Sequence, residues 1–193
     1  RKNRFNCGDK KMKKIYDYVE VQNALEKNFC DNLINSLNQK KWDSHSWSNE
    51  KGQTVGARND KELEVLPAGN NHKVLQDIII KCCENYRTKH NIHSWITAMT
   101  KIRFNRYKEG TNMANHVDHI HSIFDGENKG VPIISVVGLL NDNFVGGEFI
   151  FNDEHTIKLK QGDILLFPSN FIYAHRVNDI EEGIRYSFVS WGF

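Results

Sequence analysis

No apolar stretch in these 193 residues approaches the roughly 20 needed to cross a bilayer, and the first residues lack the basic, apolar, small-residue order of a secretion signal. The chain therefore reads as a soluble cytoplasmic protein, or one of the host cytoplasm if its source is viral, with no membrane partner. Charge of one sign is also scarce. Lys and Arg total 26 against 24 Asp and Glu, a net charge of +2. A nucleic-acid partner is not expected, because phosphate binding calls for a concentrated basic stripe. The only basic cluster, Lys10 to Lys14, reads as a solvated arm. Cysteine is sparse too: Cys7, Cys30, Cys82 and Cys83 form no CxxC pair, which excludes the common zinc and redox motifs and fits reduced, packed thiols in a reducing compartment. Internal repeats, low-complexity tracts and flexible linkers are absent, and the length suits one domain over residues 1–193.

Residues 1–14 are polar and receive no fold. Ile15 to Val21 alternates like a short strand. From about Leu25, the positions Leu25, Phe29, Leu33, Ile34 and Leu37 recur at helical spacing, and Asn23 with Glu26 three residues on resembles a capping box. Residues 42–70 hold turns around one or two short strands. A second helix is expected from about His72 to Arg87, with Leu75, Ile78, Ile79, Cys82 and Tyr86 on one face. After His93 the pattern changes to short β-rich runs: Trp95 to Tyr107, Pro132 to Leu140, Gly147 to Phe151, Thr156 to Leu159, Asp163 to Phe167, Ile172 to Val177 and Ile184 to Trp191. Such spacing indicates an antiparallel sandwich or barrel. The expected class is α+β, mainly β: residues 15–94 form a helical support region and residues 95–193 the β core.

Within the stretch Tyr107 to Asp118, an extended His116-Val-Asp118 would project the imidazole and the carboxylate to one side. Two His and one carboxylate on a triangular face commonly hold iron(II) for oxygen chemistry and leave positions open for cosubstrate and O2. An isolated HxD also arises as a surface ion pair, so its meaning depends on residues downstream. His175, on an apolar β run, can complete the triad across a barrel mouth, although a core His would look the same. Arg185 in Gly-Ile-Arg-Tyr-Ser can fork two hydrogen bonds onto a carboxylate, and Ser187 shares its strand face.

These residues fall into a longer series: Tyr107-x-x-Gly110, His116-x-Asp118, Leu140-Asn141-Asp142, Gly146-Gly147-Glu148, Gly162-Asp163-Ile164-Leu165-Leu166-Phe167, His175 and Gly183-x-Arg185. In order and approximate spacing the series resembles the Fe(II)- and 2-oxoglutarate-dependent oxygenases, and within them the prolyl 4-hydroxylase-like family, over roughly the second half of the chain. The resemblance implies a double-stranded β-helix (jelly roll, cupin-like) buttressed by N-terminal helices. It implies Fe(II) on His116, Asp118 and His175, with 2-oxoglutarate chelating the iron and meeting Arg185, Tyr107 and Ser187 at its far carboxylate. O2 is the second substrate, and ascorbate a further candidate cofactor. The implied activity is C–H hydroxylation with formation of succinate and CO2. A peptidyl proline in a peptide or protein is the favoured substrate, with another protein side chain or a small molecule as the alternative.

Two positions depart from the family. Arg185 stands where collagen-type prolyl hydroxylases carry Lys, and Met113 stands where an aromatic residue is usual. The resemblance also places Arg58 and Trp47 in substrate loops, and strand parity puts Trp191 beside the pocket. By the same parity His119 faces away from the iron ligands, and His121 lies too far along to replace one. Gly146-Gly147 reads as a tight turn, since no helix follows to cradle a phosphate. A second Arg six residues after Arg185, typical of nucleic-acid demethylases, is replaced by Trp191. A non-catalytic cupin-like metal module is the rival from another class. The sequence carries no signal of oligomeric state.

Overall fold

The computed structural model describes residues 13–48, 54–56, 61–69, 72–93, 95–118, 124–125 and 129–193. Most of the N-terminal arm, Cys7, Arg58, His119 and His121 lie outside the described residues.

Two antiparallel sheets face each other. The larger runs, in spatial order, through Glu20–Asn23, Asp163–Pro168, Ile134–Leu139, Arg185–Gly192, Arg103–Tyr107, Glu64–Pro67 and Asp43–Ser44. The smaller has the order His155–Ile157, Phe149–Phe151, His175–Val177 and Met113–His116, and a short pair, Val145–Gly146 with Ile180–Glu182, stands apart from both. Neighbours in both sheets come from distant parts of the chain, as a double-stranded β-helix requires. The expected mainly β core with buttressing helices is therefore present.

Both faces of the larger sheet are buried, so its strands read as continuous apolar runs whose parity still sorts the side chains. Ile164, Leu166, Val136, Phe104, Tyr186 and Phe188 pack toward helix α1 (Lys27–Leu37) and helix α2 (Lys73–His90), where Cys30, Leu33, Leu37, Leu75, Ile79 and Tyr86 meet them. Leu165, Phe167, Val137, Tyr107 and Val189 point the other way, against Phe149, Phe151 and Val177 of the smaller sheet. Each fully buried Leu or Phe stabilises the fold by about 1.5–3 kcal/mol. The helices thus hold one face of the sheet rigid while its opposite face lines the interior. At Gly138 the Phe188 ring lies directly on the backbone: a Cβ there would sit 2.0 Å from Cζ.

Four local expectations are corrected. Ile15–Tyr18 is a 3-10 turn, closed by the Asp17 carboxylate accepting from the Lys14 amide, and the strand begins only at Glu20. Asn23 does not cap α1, whose N-cap is Glu26 without a side-chain bond. Instead the Asn23 amide donates to Asp163, its cross-strand partner in the larger sheet. Of the run Trp95 to Tyr107, only Arg103–Tyr107 is a strand. The run beginning at Ile172 opens with a 3-10 turn, Phe171–Tyr173, before the His175–Val177 strand.

Candidate active site

The Met113–His116 and His175–Val177 strands pair antiparallel, with His116 directly opposite His175. Asp118 follows two residues later and is 7% exposed. The ligand atoms of the three side chains all lie within 4.8 Å of one another. His116 Nε2 stands 3.5 Å from Asp118 Oδ1, and His175 Nε2 stands 3.8 Å from Asp118 Oδ2. Each imidazole uses its other nitrogen locally. His116 Nδ1–H donates to the Ala114 carbonyl at 2.8 Å and His175 Nδ1–H to the Tyr173 carbonyl at 3.0 Å. That choice of tautomer leaves both Nε2 lone pairs aimed at the common point, as metal-binding histidines need. Phe149 stacks on the His175 ring at 5.0 Å and Phe167 meets it edge-on at 4.9 Å, which fixes its plane.

Asp118 is held from behind. Ser135 Oγ donates to Oδ2 at 2.6 Å, and Ser135 itself contacts Ser169 Oγ at 2.7 Å, all three residues being buried. Burial pushes the Asp118 carboxyl upward, but His175, His116 and Ser135 outweigh it and hold the group well below the usual carboxylate range. Burial also pushes His175 down to about 4, against the opposing pull of Asp118. At neutral pH the set is one carboxylate anion and a neutral His175, the protonation a divalent metal requires.

Further along the interior, Arg185 is 1% exposed and faces Tyr107 across the strand pair. Its Nη1 donates to Ser187 Oγ at 2.9 Å, and its guanidinium lies 5.0 Å from the Tyr107 ring centroid. No carboxylate among the described residues pairs with it; burial lowers its pKa, and only Tyr107 acts against that. An uncompensated buried cation costs several kcal/mol, so an anion entering here would be stabilised. Behind it Gly146 and Gly147 form a bulge at the end of the Val145–Gly146 strand and not the expected tight turn, with φ of +79° and +65°. A Cβ on Gly147 would come within 2.5 Å of Ile180 Cδ1 and 3.2 Å of Arg185 Cδ, so glycine there lets the backbone pass close over the arginine stem.

One cavity of about 410 Å³, open mouth included, is lined by the triad together with Tyr107, Met113, Arg185 and Trp191, and also by Arg103 and Asn105. Met113 and Trp191 are therefore wall residues, as parity predicts for Trp191. Trp47 lies in a short strand, Trp47–Ser48, paired with Thr54–Val55. Sequence reasoning missed Arg103 and Asn105, although the period-2 pattern through Tyr107 carried the signal. It also missed Ser135 and Ser169, whose approach to Asp118 depends on pairing that no local pattern reveals.

Comparison with known proteins agrees with this geometry. The sequence model of the 2OG-Fe(II) oxygenase superfamily matches residues 102–193, the stretch that supplies all three triad residues and Arg185. Over those residues the chain resembles the 2OG-Fe(II) oxygenases. That likeness implies Fe(II), 2-oxoglutarate and O2 as cofactor and cosubstrates, and the His116, Asp118 and His175 cluster fits the metal. A PKHD-type hydroxylase of Idiomarina loihiensis is 25% identical to this chain over 178 residues, covering 90% of the chain and 76% of the relative. Among solved structures, the viral collagen prolyl hydroxylase of Paramecium bursaria Chlorella virus-1 in complex with 2-oxoglutarate superposes with a TM-score of 0.63 at 21% identity, covering 90% of this chain and 94% of that one. A Trichoplax adhaerens prolyl hydroxylase bound to a peptide of hypoxia inducible factor gives 0.65 at 17% identity, covering 91% and 83%. The chain thus has the fold of these prolyl hydroxylases, a double-stranded β-helix. Its donor set fits iron: two nitrogens and one anionic oxygen on one side, with the open cavity on the other.

Proposed function

We propose that this oxygenase hydroxylates a C–H bond of a peptidyl proline in a reaction where 2-oxoglutarate, O2 and substrate become succinate, CO2 and the hydroxylated product. In this reading His116, Asp118 and His175 hold the iron, and Arg185 receives the far carboxylate of 2-oxoglutarate with help from Ser187 and Tyr107. Bound iron supplies the activation of O2 and the oxidising power for the C–H bond. The chain supplies the rest. Ser135 orients Asp118, the Ala114 and Tyr173 carbonyls fix the imidazoles, and the apolar wall of Val137, Phe149, Val177 and Val189 keeps water away from the reacting end.

The observation that carries the reading is the buried Arg185, without a carboxylate partner among the described residues, in the same cavity as the His116, Asp118 and His175 cluster. A structural metal in a cupin-like module would need neither that unpaired guanidinium nor open coordination positions. Proline as target is supported by the prolyl hydroxylases among the proteins of like fold. Burial of all three described cysteines as free thiols supports a reducing compartment such as the cytoplasm.

The test is to incubate Fe(II)-loaded protein with 2-oxoglutarate, O2 and a panel of proline-containing peptides, and to assay succinate and the mass of each peptide. Addition of one oxygen to proline, in step with succinate, is expected. Succinate with oxygen on another residue, or on a small molecule only, would move the substrate assignment and leave the cosubstrate chemistry intact.

A further inference from the structure

The strand Arg103–Tyr107 turns three polar side chains into the cavity, at Arg103, Asn105 and Tyr107. Tyr107 stands opposite Arg185, Asn105 opposite Ser187, and Arg103 opposite Val189. At about 3.3 Å per residue, Arg103 leaves the backbone roughly 13 Å beyond the Tyr107–Arg185 level. The five carbons of 2-oxoglutarate span only about 5–6 Å between carboxyl carbons at ordinary bond lengths. A cosubstrate anchored on Arg185 therefore ends near the level of Asn105 and Ser187, and Arg103 lies past it.

Arg103 has the features of a cation that lacks its ligand. Its Nε is buried without a hydrogen-bond partner, and no carboxylate among the described residues pairs with it. Its guanidinium rests 5.2 Å from the Trp191 ring centroid. That contact holds the plane of the fork and leaves its edge for an acceptor. Asn105 Oδ1 is likewise buried and unpartnered one step nearer Arg185. Arg103 lines the same cavity as His116, Asp118 and His175. A second, half-buried guanidinium in the cavity that holds Arg185 is more positive charge than a single dicarboxylate needs for its far carboxylate.

We propose that Arg103, stacked on Trp191, is a substrate-side carboxylate anchor, so that the substrate carries a carboxylate next to the C–H bond that is oxidised. The inference rests on the oxygenase reading of the same cavity. The carboxylate can come from an acidic side chain beside the target residue in a peptide, or from the free carboxyl group of a small amino acid. Arg103 positions the target by forking onto that group, and Asn105, whose Oδ1 has no partner among the described residues, lies between substrate and cosubstrate.

The test measures binding and turnover separately. Mn(II)-loaded protein saturated with 2-oxoglutarate is titrated by calorimetry, without O2, with end-blocked pentapeptides Gly-Glu-Pro-Gly-Gly, Gly-Gln-Pro-Gly-Gly and Gly-Lys-Pro-Gly-Gly, and with free L-proline and L-prolinamide. The expected result is at least tenfold tighter binding of the carboxylate member, either Glu over Gln peptide or proline over prolinamide, and the pair that responds identifies the source. Arg103→Gln should abolish that preference, and Arg103→Glu should reverse it toward the Lys peptide. The affinity for 2-oxoglutarate, titrated alone, should stay within about twofold of the parent. The reversal is a gain that misfolding cannot produce. Equal binding of charged and neutral members by the parent, or no binding of any member, overturns the proposal. So does a tenfold loss of 2-oxoglutarate affinity in Arg103→Gln with peptide preference intact, which would assign Arg103 to the cosubstrate. Failure of the parent to form succinate at all would instead count against the oxygenase reading.

Discussion

Replacing Arg185 by methionine, which keeps much of the stem and removes the charge, should weaken the cosubstrate site and relieve the empty protein at the same time. The guanidinium is 1% exposed, bound to Ser187 and set against the Tyr107 ring, with no carboxylate partner among the described residues. Truncating one member of a buried, hydrogen-bonded charge pair costs about 2–5 kcal/mol. Since iron chelation at the other end of 2-oxoglutarate is untouched, a value near 3 kcal/mol is expected, or roughly 150-fold in affinity. Without ligand the balance reverses. A buried cation with no counter-ion carries a net penalty that its Ser187 bond and the Tyr107 ring only partly offset, so its removal should stabilise the apo protein by about 1 kcal/mol. For a chain of this size that is roughly 2–4 °C in Tm. Calorimetric titration of 2-oxoglutarate into the Mn(II)-loaded variant gives the first number, and thermal melting of the metal-free proteins gives the second. An affinity loss below about tenfold would refute the role assigned to Arg185. A large loss accompanied by a lower apo Tm would show that the residue holds the fold and not the ligand.

Three further outcomes follow from particular contacts. Gly138→Ala forces a methyl against the Phe188 ring and should destabilise the protein by about 1–3 kcal/mol in urea unfolding; an unchanged midpoint would mean that the ring moves aside freely. Ser135→Ala removes the bond that orients Asp118 and should weaken Fe(II) or Mn(II) binding by about 10-fold or more while leaving secondary structure intact. Unaltered metal affinity would remove Ser135 from the site. Burial raises the thiols of Cys30 and Cys82 to about 11 and that of Cys83 to about 12. Raised values mean little thiolate at pH 8, with reactivity returning only toward pH 11 or on unfolding, so mass spectrometry should find these three cysteines unlabelled by iodoacetamide in the native protein. Rapid native labelling of any of them would contradict the packing around α1 and α2.

The clustering of His116, Asp118 and His175 in one cavity with Arg185 was readable in the sequence because each sits in a short, ordered string, and strand parity alone then put Ser187 and Trp191 on the same face as Arg185. The double-stranded β-helix was readable for a related reason. Runs such as Asp163-Ile-Leu-Leu-Phe, apolar on both faces, belong to a sheet covered on both sides. Other features depended on contacts remote in the chain. Asn23 has the residue type of a helix cap, but cross-strand pairing with Asp163 takes its amide. Ile15 to Val21 alternates like a strand, yet Asp17 closes a 3-10 turn on the Lys14 amide. Ser135 and Ser169 look like strand-end polar residues until the sheet brings them behind Asp118. Arg103 and Asn105 differ from these, since they share parity with Tyr107. They were missed because Phe104 and Arg106 between them made the run look like an ordinary half-polar strand.

The most direct test of the account is succinate formation from 2-oxoglutarate by the Fe(II)-loaded protein, compared with His116→Ala, Asp118→Ala and His175→Ala variants whose folding is verified by circular dichroism. The parent is predicted to turn 2-oxoglutarate into succinate, and each variant to lose both that turnover and tight metal binding. Succinate formed equally well by a folded triad variant, or a parent that binds iron in the triad yet never consumes 2-oxoglutarate, would contradict the assignment.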